Sequence, residues 1–381
     1  MSRQTWKNLG LVLCSLLFAA ALAEVVVRVA GLGRTFLTRG PLHEYDPRAG
    51  WRCKSHLDAN YVQPGSFDVR IRCNADGLRG GVIEQPKPAS RTRLAVLGDS
   101  FMWGFGVEDD EVFAQALVRE IPDSDVVNLA ANGYSTVQEL VRLEDDGLRY
   151  QPDVLVLGFC WNDLEDNFDD KHGGRPVAAL TGSGELRIEN LPVRRPWKSG
   201  TKQWLRAHSR LFGFLEYAFK LIGESSKRWL PSRPPDAGGD PDLTGTSFSE
   251  RDLYAPSTPE LDHAWRVLRL LLARIADDQR ANGGRTLVMY VPSRNAMTPR
   301  QFRELFGDDR ELDWSRPADR LGEIARSLGV EYLDLNPVFR AAPDPESLYL
   351  VNNGHWSAAG HGLAARSAAE LVRAGGARRS P

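Results

Sequence analysis

The sequence has little cysteine and no excess of either charge. It contains four cysteines in 381 residues, and its 48 Lys and Arg residues nearly balance 50 Asp and Glu residues, giving a formal net charge of -2. Because nucleic-acid-binding domains carry a marked basic surplus, this balance gives no reason to expect a nucleic-acid partner. There is also no internal repeat and no cluster of His, Cys and Asp at metal-ligand spacing, so we expect neither a metal nor another cofactor.

What the sequence does have is a long apolar stretch at its amino terminus. Two cations, Arg3 and Lys7, precede an uncharged run, and apolar character resumes beyond the first acidic residue. Residues 9–27 are about long enough to span a bilayer. We interpret residues 1–33 as an uncleaved signal anchor in the cell membrane, with the rest of the chain outside the cytoplasm, as in the periplasm. The alternative is a protein secreted after cleavage near Ala23, which ends a small-x-small sequence.

Two of the cysteines lie in a β-rich segment, residues 34–90, which ends in a proline-containing linker. Cys53 and Cys73 fall within the candidate strands 50–54 and 67–73. In an oxidising compartment outside the cytoplasm, two such cysteines can pair across neighbouring strands. We therefore predict a disulfide between them, with two unpaired, partly buried thiols as the alternative.

From residue 91 the sequence alternates between short buried strands and amphipathic helices. This alternation predicts an α/β domain over 91–376, with a mostly parallel sheet and helices on both faces. An insertion at about 163–256 interrupts it, and the basic amphipathic stretch 202–230 could lie on a membrane, cover the active site or pack on the domain. The predicted strands are Leu94–Leu97, Val126–Leu129, Val154–Phe159, Thr286–Val291 and Val330–Leu335. The predicted helices are Glu111–Ile121, Thr136–Asp146, Pro259–Ala281, Pro317–Ser327 and Ser357–Arg373.

Four positions in this domain carry groups with chemical potential. Ser100 follows the first strand in a Gly-Asp-Ser sequence, Gly133 follows the second strand, and Asn162 follows the third. His355 lies in a glycine-flanked loop before the last helix. Taken singly, each position can be explained by a purely structural role, as a helix cap or a turn. Together, at the sheet edge where α/β proteins bind ligands, they supply the nucleophile, base and oxyanion donors that acyl transfer to serine requires.

These four positions resemble the four sequence blocks of the SGNH/GDSL hydrolase family, and the likeness covers roughly residues 92–374. The resemblance implies that Ser100 is the nucleophile and that His355 is the general base. It also implies an oxyanion hole formed by the backbone N–H groups of Ser100 and Gly133 and by the side-chain amide of Asn162. The fold it implies is a flavodoxin-like three-layer α/β/α domain around a five-stranded, mostly parallel sheet.

The histidine block departs from the family pattern. Family members have an aspartate two or three residues before the histidine, whereas this sequence has Asn353 and Asn352 there. Asparagine can accept a hydrogen bond from imidazole but cannot neutralise imidazolium, and the comparable change in a serine protease costs about 10⁴ in kcat. Three alternatives stay open: a Ser–His dyad in which one asparagine holds the ring, a centre rescued by another acid, or a pocket that only binds. The acids nearest in sequence are Asp334, Asp344 and Glu346.

The sequence thus predicts an extracytoplasmic serine esterase that removes small acyl groups, O-acetyl groups of a carbohydrate in particular. The carbohydrate follows from the family resemblance and from the ten tryptophans, whose rings can stack on sugars. One alternative is an acyltransferase to polysaccharide hydroxyls, which would use the same serine. Another is a non-catalytic polysaccharide-binding or assembly protein that has kept the fold. The expected partners are an acylated carbohydrate or another small ester and, through the amino-terminal helix, a membrane.

Overall fold

The computed structural model describes residues 3–30, 42–63, 65–169, 174–195, 205, 208–215, 248–307 and 310–377. By its internal contacts the chain divides into two units. The first unit comprises residues 1–41, 62–64 and 197–238, and the second unit comprises the rest.

Helix α1 (Arg3–Val29) is the long apolar element of the first unit. Its segment Gln4–Val29, 26 residues with a mean hydropathy of 2.4, is long and apolar enough to span a membrane. Near its end, the Glu24 carboxylate accepts hydrogen bonds from the first two backbone N–H groups of the helical stretch 210–215, at 2.9 Å each. Glu24 thereby caps the start of that stretch. Most of the basic segment predicted over 202–230 lies outside the described residues.

The β-rich segment contributes two small two-stranded sheets to the described structure. Cys53, at the end of the second strand, and Cys73, just after the fourth, form a disulfide with their Cα atoms 6.5 Å apart. This bond links the two small sheets covalently. In chain order the strands are β1 (His43–Asp46), β2 (Gly50–Cys53), β3 (Asp58–Gln63) and β4 (Phe67–Arg72), which pair as β1–β2 and β3–β4.

The core of the second unit is a five-stranded sheet in which all neighbouring strands run parallel. Its three central strands are buried on both faces, as expected of a parallel sheet covered by helices, whereas the edge strand Glu331–Asp334 is only partly buried. In chain order, the remaining strands are β5 (Thr92–Gly98), β6 (Ser124–Asn128), β7 (Val154–Phe159), an antiparallel pair in the insertion, β8 (Val177–Leu180) and β9 (Leu186–Glu189), then β10 (Arg285–Tyr290) and β11 (Glu331–Asp334). The spatial order β6-β5-β7-β10-β11 confirms the predicted flavodoxin-like arrangement.

Helices cover this sheet and complete a three-layer α/β/α fold. The helices after α1 are α2 (Ser100–Trp103), α3 (Phe113–Glu120), α4 (Thr136–Arg142), α5 (Asp163–Asp166), α6 (Glu250–Tyr254), α7 (Pro259–Ala281), α8 (Pro299–Phe306), α9 (Arg316–Ser327), α10 (Asn336–Arg340) and α11 (Ala358–Ala377). Helices α4, α7 and α9 share one apolar core with the sheet, whereas α3 packs against α11. Most predicted elements therefore exist, with ends that differ by a few residues.

One predicted helix is shorter than expected. The α-helical geometry predicted over Thr136–Asp146 ends at Arg142 and continues as a π-helical turn, Leu143–Gly147. Leu143 and Gly147 are buried in this turn, and the three acidic residues between them reach the surface. A Cβ atom on Gly147 would lie 2.7 Å from a methyl group of Leu129, so glycine permits this close approach to the sheet. The apolar periodicity does not reveal the wider turn.

Two glycines let α2 pack directly on the ends of the central strands. Gly98 and Gly158 are register partners at the ends of β5 and β7. A Cβ atom on Gly98 would lie 2.2 Å from Cγ of Met102, and one on Gly158 would lie 2.5 Å from the Met102 sulfur. Because both positions lack a side chain, the Met102 side chain of α2 packs directly against the ends of these strands. The helix can therefore start at the carboxyl edge of the sheet. Ser100 is its first residue.

Candidate active site

The turn that presents Ser100 is fixed on both sides of the residue. The buried carboxyl group of Asp99 caps α2 by accepting a hydrogen bond from the backbone N–H of Phe101 at 2.9 Å. The helix ends after one turn at Gly104, which has a φ of 93° that favours glycine. Ser100 itself remains partly exposed. Its hydroxyl therefore lies at an accessible place on a rigid turn.

His355, 255 residues further along the chain, is hydrogen-bonded to Ser100. Its Nε2 lies 2.7 Å from Ser100 Oγ, and its Nδ1 lies 2.6 Å from Oδ1 of Asn353. Because the amide oxygen can only accept, Nδ1 carries the proton and Nε2 offers its lone pair to the Ser100 hydroxyl. The neutral imidazole is thus arranged to take the hydroxyl proton.

The two asparagines before His355 have different environments. Asn353 accepts from both the ring and the backbone N–H of His355, at 2.6 and 3.0 Å. Asn352 is exposed, has a φ of 54°, and donates from its amide to the carbonyl of Gly65 at 3.5 Å. Of the two asparagines, Asn353 is therefore the one that is hydrogen-bonded to the imidazole.

None of the three acids considered from the sequence is hydrogen-bonded to His355 in the described part of the chain. Glu346 forms an ion pair with Arg294 at 3.0 Å, and Arg294 in turn donates to the backbone carbonyl of Asn353 at 3.2 Å. Asp334 accepts from the backbone N–H of Asn336 at 2.9 Å, and Asp344 starts a single 3-10 turn. Among the residues that the structure describes, no carboxylate is hydrogen-bonded to His355. The imidazole is held by an uncharged partner.

Gly133 and Asn162 lie at the same sheet edge as Ser100, after β6 and β7. Gly133 is partly exposed and has a φ of 67°. The carbonyl of the preceding residue, Asn132, accepts a hydrogen bond from the indole N–H of Trp51 at 3.0 Å. The Asn162 amide donates to Asp166 at 3.1 Å. Because a side-chain amide has two N–H donors, this bond orients the group and leaves one donor for a ligand.

A buried arginine connects these two donor positions. Arg175 is fully buried and forms an ion pair with Asp166 at 3.1 Å. Its guanidinium also lies over the ring of Trp51, 5.3 Å from the ring centroid. Asp166 orients Asn162, whereas Trp51 binds the carbonyl before Gly133. Arg175 thus contacts the two residues, Asp166 and Trp51, that hold the candidate oxyanion donors in place.

Comparison with known proteins decides the family. The sequence pattern of the GDSL-like lipase/acylhydrolase family matches residues 96–363, which include Ser100, Gly133, Asn162 and His355. The chain belongs to this hydrolase family. The match confirms the SGNH/GDSL resemblance drawn from the four sequence blocks.

Solved structures similar to this GDSL hydrolase are distant in sequence. The lipase/acylhydrolase from Enterococcus faecalis is 12% identical, with a TM-score of 0.39, and the match covers 74% of this chain and 95% of that one. A GDSL-like lipase from Bacteroides thetaiotaomicron is 11% identical, with a TM-score of 0.37 and coverages of 77% and 93%. A member of the lipolytic G-D-S-L family from Veillonella parvula is 10% identical, with a TM-score of 0.39 and coverages of 74% and 98%. No curated protein matches the sequence.

In this GDSL hydrolase the imidazole of His355 lies between two phenyl rings. The ring of Phe105 stacks on it with centroids 4.2 Å apart and an interplanar angle of 21°. Phe101 is 4.9 Å away at 32°. Burial lowers the pKa of His355 to about 4, because the site solvates the imidazolium form poorly. The histidine is therefore neutral at pH 7 and available as a base.

Besides Asp166, which is paired with Arg175, the oxyanion side contains three buried carboxyl groups. Burial raises the pKa of Asp99 to about 7. Burial, followed by the charge of Asp99, raises the pKa of Glu139 well above its usual range. Burial and the charges of Glu139 and Asp99 do the same for Asp163. For each of these groups the buried environment favours the neutral form, so negative charge is disfavoured where an oxyanion would form.

Several residues that support the site were not predicted from the sequence. They are Arg294, Asp166, Arg175, Phe105 and Trp51, and none of them was assigned a role before the structure placed it near the site. A weak signal was present, because Phe105 belongs to the glycine-rich run that follows Ser100. As for a metal, no group of three or more His, Cys, Asp or Glu side chains is arranged to hold an ion in the described part of the chain.

Proposed function

We propose that this GDSL hydrolase is a membrane-anchored, extracytoplasmic serine esterase that removes small acyl groups, with O-acetyl groups of a carbohydrate as the natural substrate. The observation that carries the proposal is the 2.7 Å contact between Ser100 Oγ and a neutral His355 Nε2. A serine hydroxyl with a neutral imidazole in hydrogen-bonding contact is the arrangement that nucleophilic acyl transfer requires.

The reaction proceeds in two proton-balanced halves. His355 Nε2 takes the hydroxyl proton while Ser100 Oγ forms a bond to the ester carbonyl carbon. The resulting oxyanion accepts hydrogen bonds from the backbone N–H groups of Ser100 and Gly133 and from the free N–H of Asn162. The intermediate collapses as His355 returns the proton to the leaving alcohol oxygen, and the acyl group stays on Ser100. Water, deprotonated by His355, then releases the acid and restores the serine.

Four further features support the location and the substrate class. Helix α1 is long and apolar enough for a membrane anchor. The Cys53–Cys73 disulfide is suited to an oxidising compartment outside the cytoplasm. Trp161, directly before Asn162, is partly exposed and offers an aromatic side chain of the type that binds sugars. Small acyl groups fit the crowded aromatic environment of His355.

The full-length chain in detergent tests the proposal by fluorophosphonate labelling and by hydrolysis of an aryl acetate. We expect labelling at Ser100, and we expect Ser100→Ala to abolish both signals, since the equivalent change in a serine protease costs on the order of 10⁶ in kcat. Ser327→Ala, at the end of α9, is the matched control and should retain both. A folded sample that is neither labelled nor active would favour a non-catalytic binding protein.

Acetylated polysaccharides separate the remaining alternatives. We expect release of free acetate from the polysaccharide, and slower hydrolysis of aryl esters as the acyl chain lengthens. Acetyl transfer to added sugar hydroxyls without release of acetate would instead identify an acyltransferase. A preference for long-chain aryl esters would contradict the small-acyl assignment.

A further inference from the structure

Among the residues that the structure describes, no carboxylate is hydrogen-bonded to the imidazole of His355. Its hydrogen-bonding partners are the Ser100 hydroxyl and the Asn353 amide oxygen, both uncharged. Yet His355 must carry a proton, and a positive charge, whenever Ser100 Oγ attacks an ester. In most serine hydrolases an aspartate stabilises that charge. Another group must do so here if the centre is active.

Charged groups on the surrounding elements do not supply this stabilisation. Arg294 adds positive charge behind Asn353, and its partner Glu346 is already paired with it. Arg79 lies beneath the loop after α2, with Asp109 as its partner; burial, followed by the charge of Arg79, lowers the pKa of His361 on α11. The remaining titratable group next to Ser100 is Asp99, which caps α2.

The aromatic ring of Phe105 lies where it can stabilise the positive charge on His355. A cation within about 6 Å of a ring centroid is attracted by the negative π face, most strongly where water is excluded. The Phe105 centroid lies 4.2 Å from that of His355, and the 21° interplanar angle brings the two faces together. Phe101 is further away and more tilted, at 4.9 Å and 32°. Phe105 is therefore the better placed of the two rings.

The β-rich segment holds Phe105 in this position. The rings of Tyr61 and Phe67 each meet the Phe105 ring edge-on, with centroids 5.3 Å apart. Arg79, fully buried, donates to the backbone carbonyls of Gly104 and Val107 on either side of Phe105. Ring contacts thus hold the Phe105 side chain, and hydrogen bonds from Arg79 hold the backbone on either side of it.

We propose that Phe105 is a positioning residue that stabilises the imidazolium form of His355 through its π face, in place of the missing carboxylate. The β-rich segment is accordingly a component of the active centre, since it clamps Phe105. This inference rests on the proposed serine esterase activity.

The pH dependence of kcat/KM for an aryl acetate tests this role. Phe105→Leu keeps an apolar side chain over His355 but removes the π face. We expect kcat/KM to fall about 2- to 30-fold, which corresponds to the usual strength of a cation–π contact. We also expect the acid limb of the profile, set by His355, to move to lower pH, because imidazolium becomes less stable. Phe105→Trp, with a stronger π face, should move the limb to higher pH.

The direction of the shift separates this role from a purely structural one. If Phe105 only excludes water, the smaller leucine would let water reach the imidazole and stabilise its charged form. The acid limb would then move to higher pH, and this result would overturn the proposal. An unchanged limb in both variants would overturn it as well. Phe302→Leu, in the separate aromatic cluster around Tyr254, is the matched control and should leave the limb in place.

The failure of this inference is distinguishable from the failure of the esterase proposal. Fluorophosphonate labelling of wild-type Ser100 reports on the esterase alone. Labelling of the wild type together with a wrong or absent shift in the Phe105 variants would reject only the role of Phe105. If Phe105→Leu does not fold, Phe105→Trp still tests the sign of the shift.

Discussion

The two sides of the active site differ in where their carboxyl groups lie. On the histidine side, the imidazole is bonded to Asn353 and packed between two phenyl rings, with no carboxylate attached among the described residues. On the oxyanion side, Glu139 and Asp163 are fully buried beneath the elements that carry Gly133 and Asn162. An acid is absent where the family places one, and acids are buried where a negative charge would be harmful.

Burial accounts for both halves of this difference. Removal of water disfavours the charged form of any titratable group, so it lowers the pKa of a histidine and raises that of a carboxyl group. Burial therefore favours the neutral forms of His355 on one side and of Glu139 and Asp163 on the other. In the proposed reaction, the charge pair of imidazolium and oxyanion would arise only as Ser100 attacks the ester.

Among the changes that test this comparison, the largest effect is expected from removing the Asn162 amide, one of the three candidate oxyanion donors. Asn162→Ala should lower kcat for an aryl acetate about 100- to 1000-fold, with little change in KM, because the amide acts on charge that develops in the transition state. Steady-state kinetics measure the effect. Asn282→Ala, at the end of α7, is a control that should leave kcat unchanged. A loss of less than threefold would show that the site works without this donor.

Installing the missing acid should have a smaller effect in the opposite direction. Asn353→Asp should raise kcat at pH 7 to 8 by about 10-fold or more, against the ~10⁴-fold that the reverse change costs a serine protease. The acid limb of the pH profile should also move to higher pH, since a carboxylate raises the pKa of His355.

Asn352→Asp, one residue away and exposed, is the matched control for Asn353→Asp. It should leave both kcat and the acid limb unchanged. An unchanged or lower rate in Asn353→Asp would mean that the aromatic environment already provides the stabilisation that the acid gives elsewhere.

The smallest effect concerns stability on the oxyanion side. The raised pKa of Glu139 means that the folded chain holds a proton that the unfolded chain releases above about pH 4.5. The contribution of Glu139 to the free energy of unfolding is therefore greatest below that pH. It falls as the pH rises towards the pKa that Glu139 has in the folded protein. Glu139→Gln cannot release this proton, so the fall in the free energy of unfolding should lessen by about 1.4 kcal/mol per pH unit.

Denaturant unfolding of the full-length chain in detergent at pH 5, 6 and 7 measures this slope. Glu304→Gln, an exposed glutamate on α8, should leave the slope as in the wild type. Equal slopes in wild type and Glu139→Gln would mean that Glu139 is ionised, and that the oxyanion side carries buried negative charge.

Local sequence patterns were enough to predict the fold and to group the four candidate site positions. The unbroken apolar run Leu94–Leu97 could only be a strand buried on both faces, and alternation with amphipathic helices required a parallel sheet. Such a sheet brings the residues after its strands to one edge, so Ser100, Gly133 and Asn162 could be grouped without coordinates. The wider turn at Leu143–Gly147 could not be read, because π- and α-helical turns share nearly the same apolar spacing.

The amino-acid sequence by itself determined the α/β architecture, the family and the absence of an aspartate before His355, since each depends on residue identity and short-range order. Only the tertiary structure decided which asparagine meets the imidazole, and that Phe105 lies on its face under a clamp from Tyr61 and Phe67. Those contacts join residues that are far apart in the chain. Their geometry depends on how whole elements pack, which no local pattern specifies.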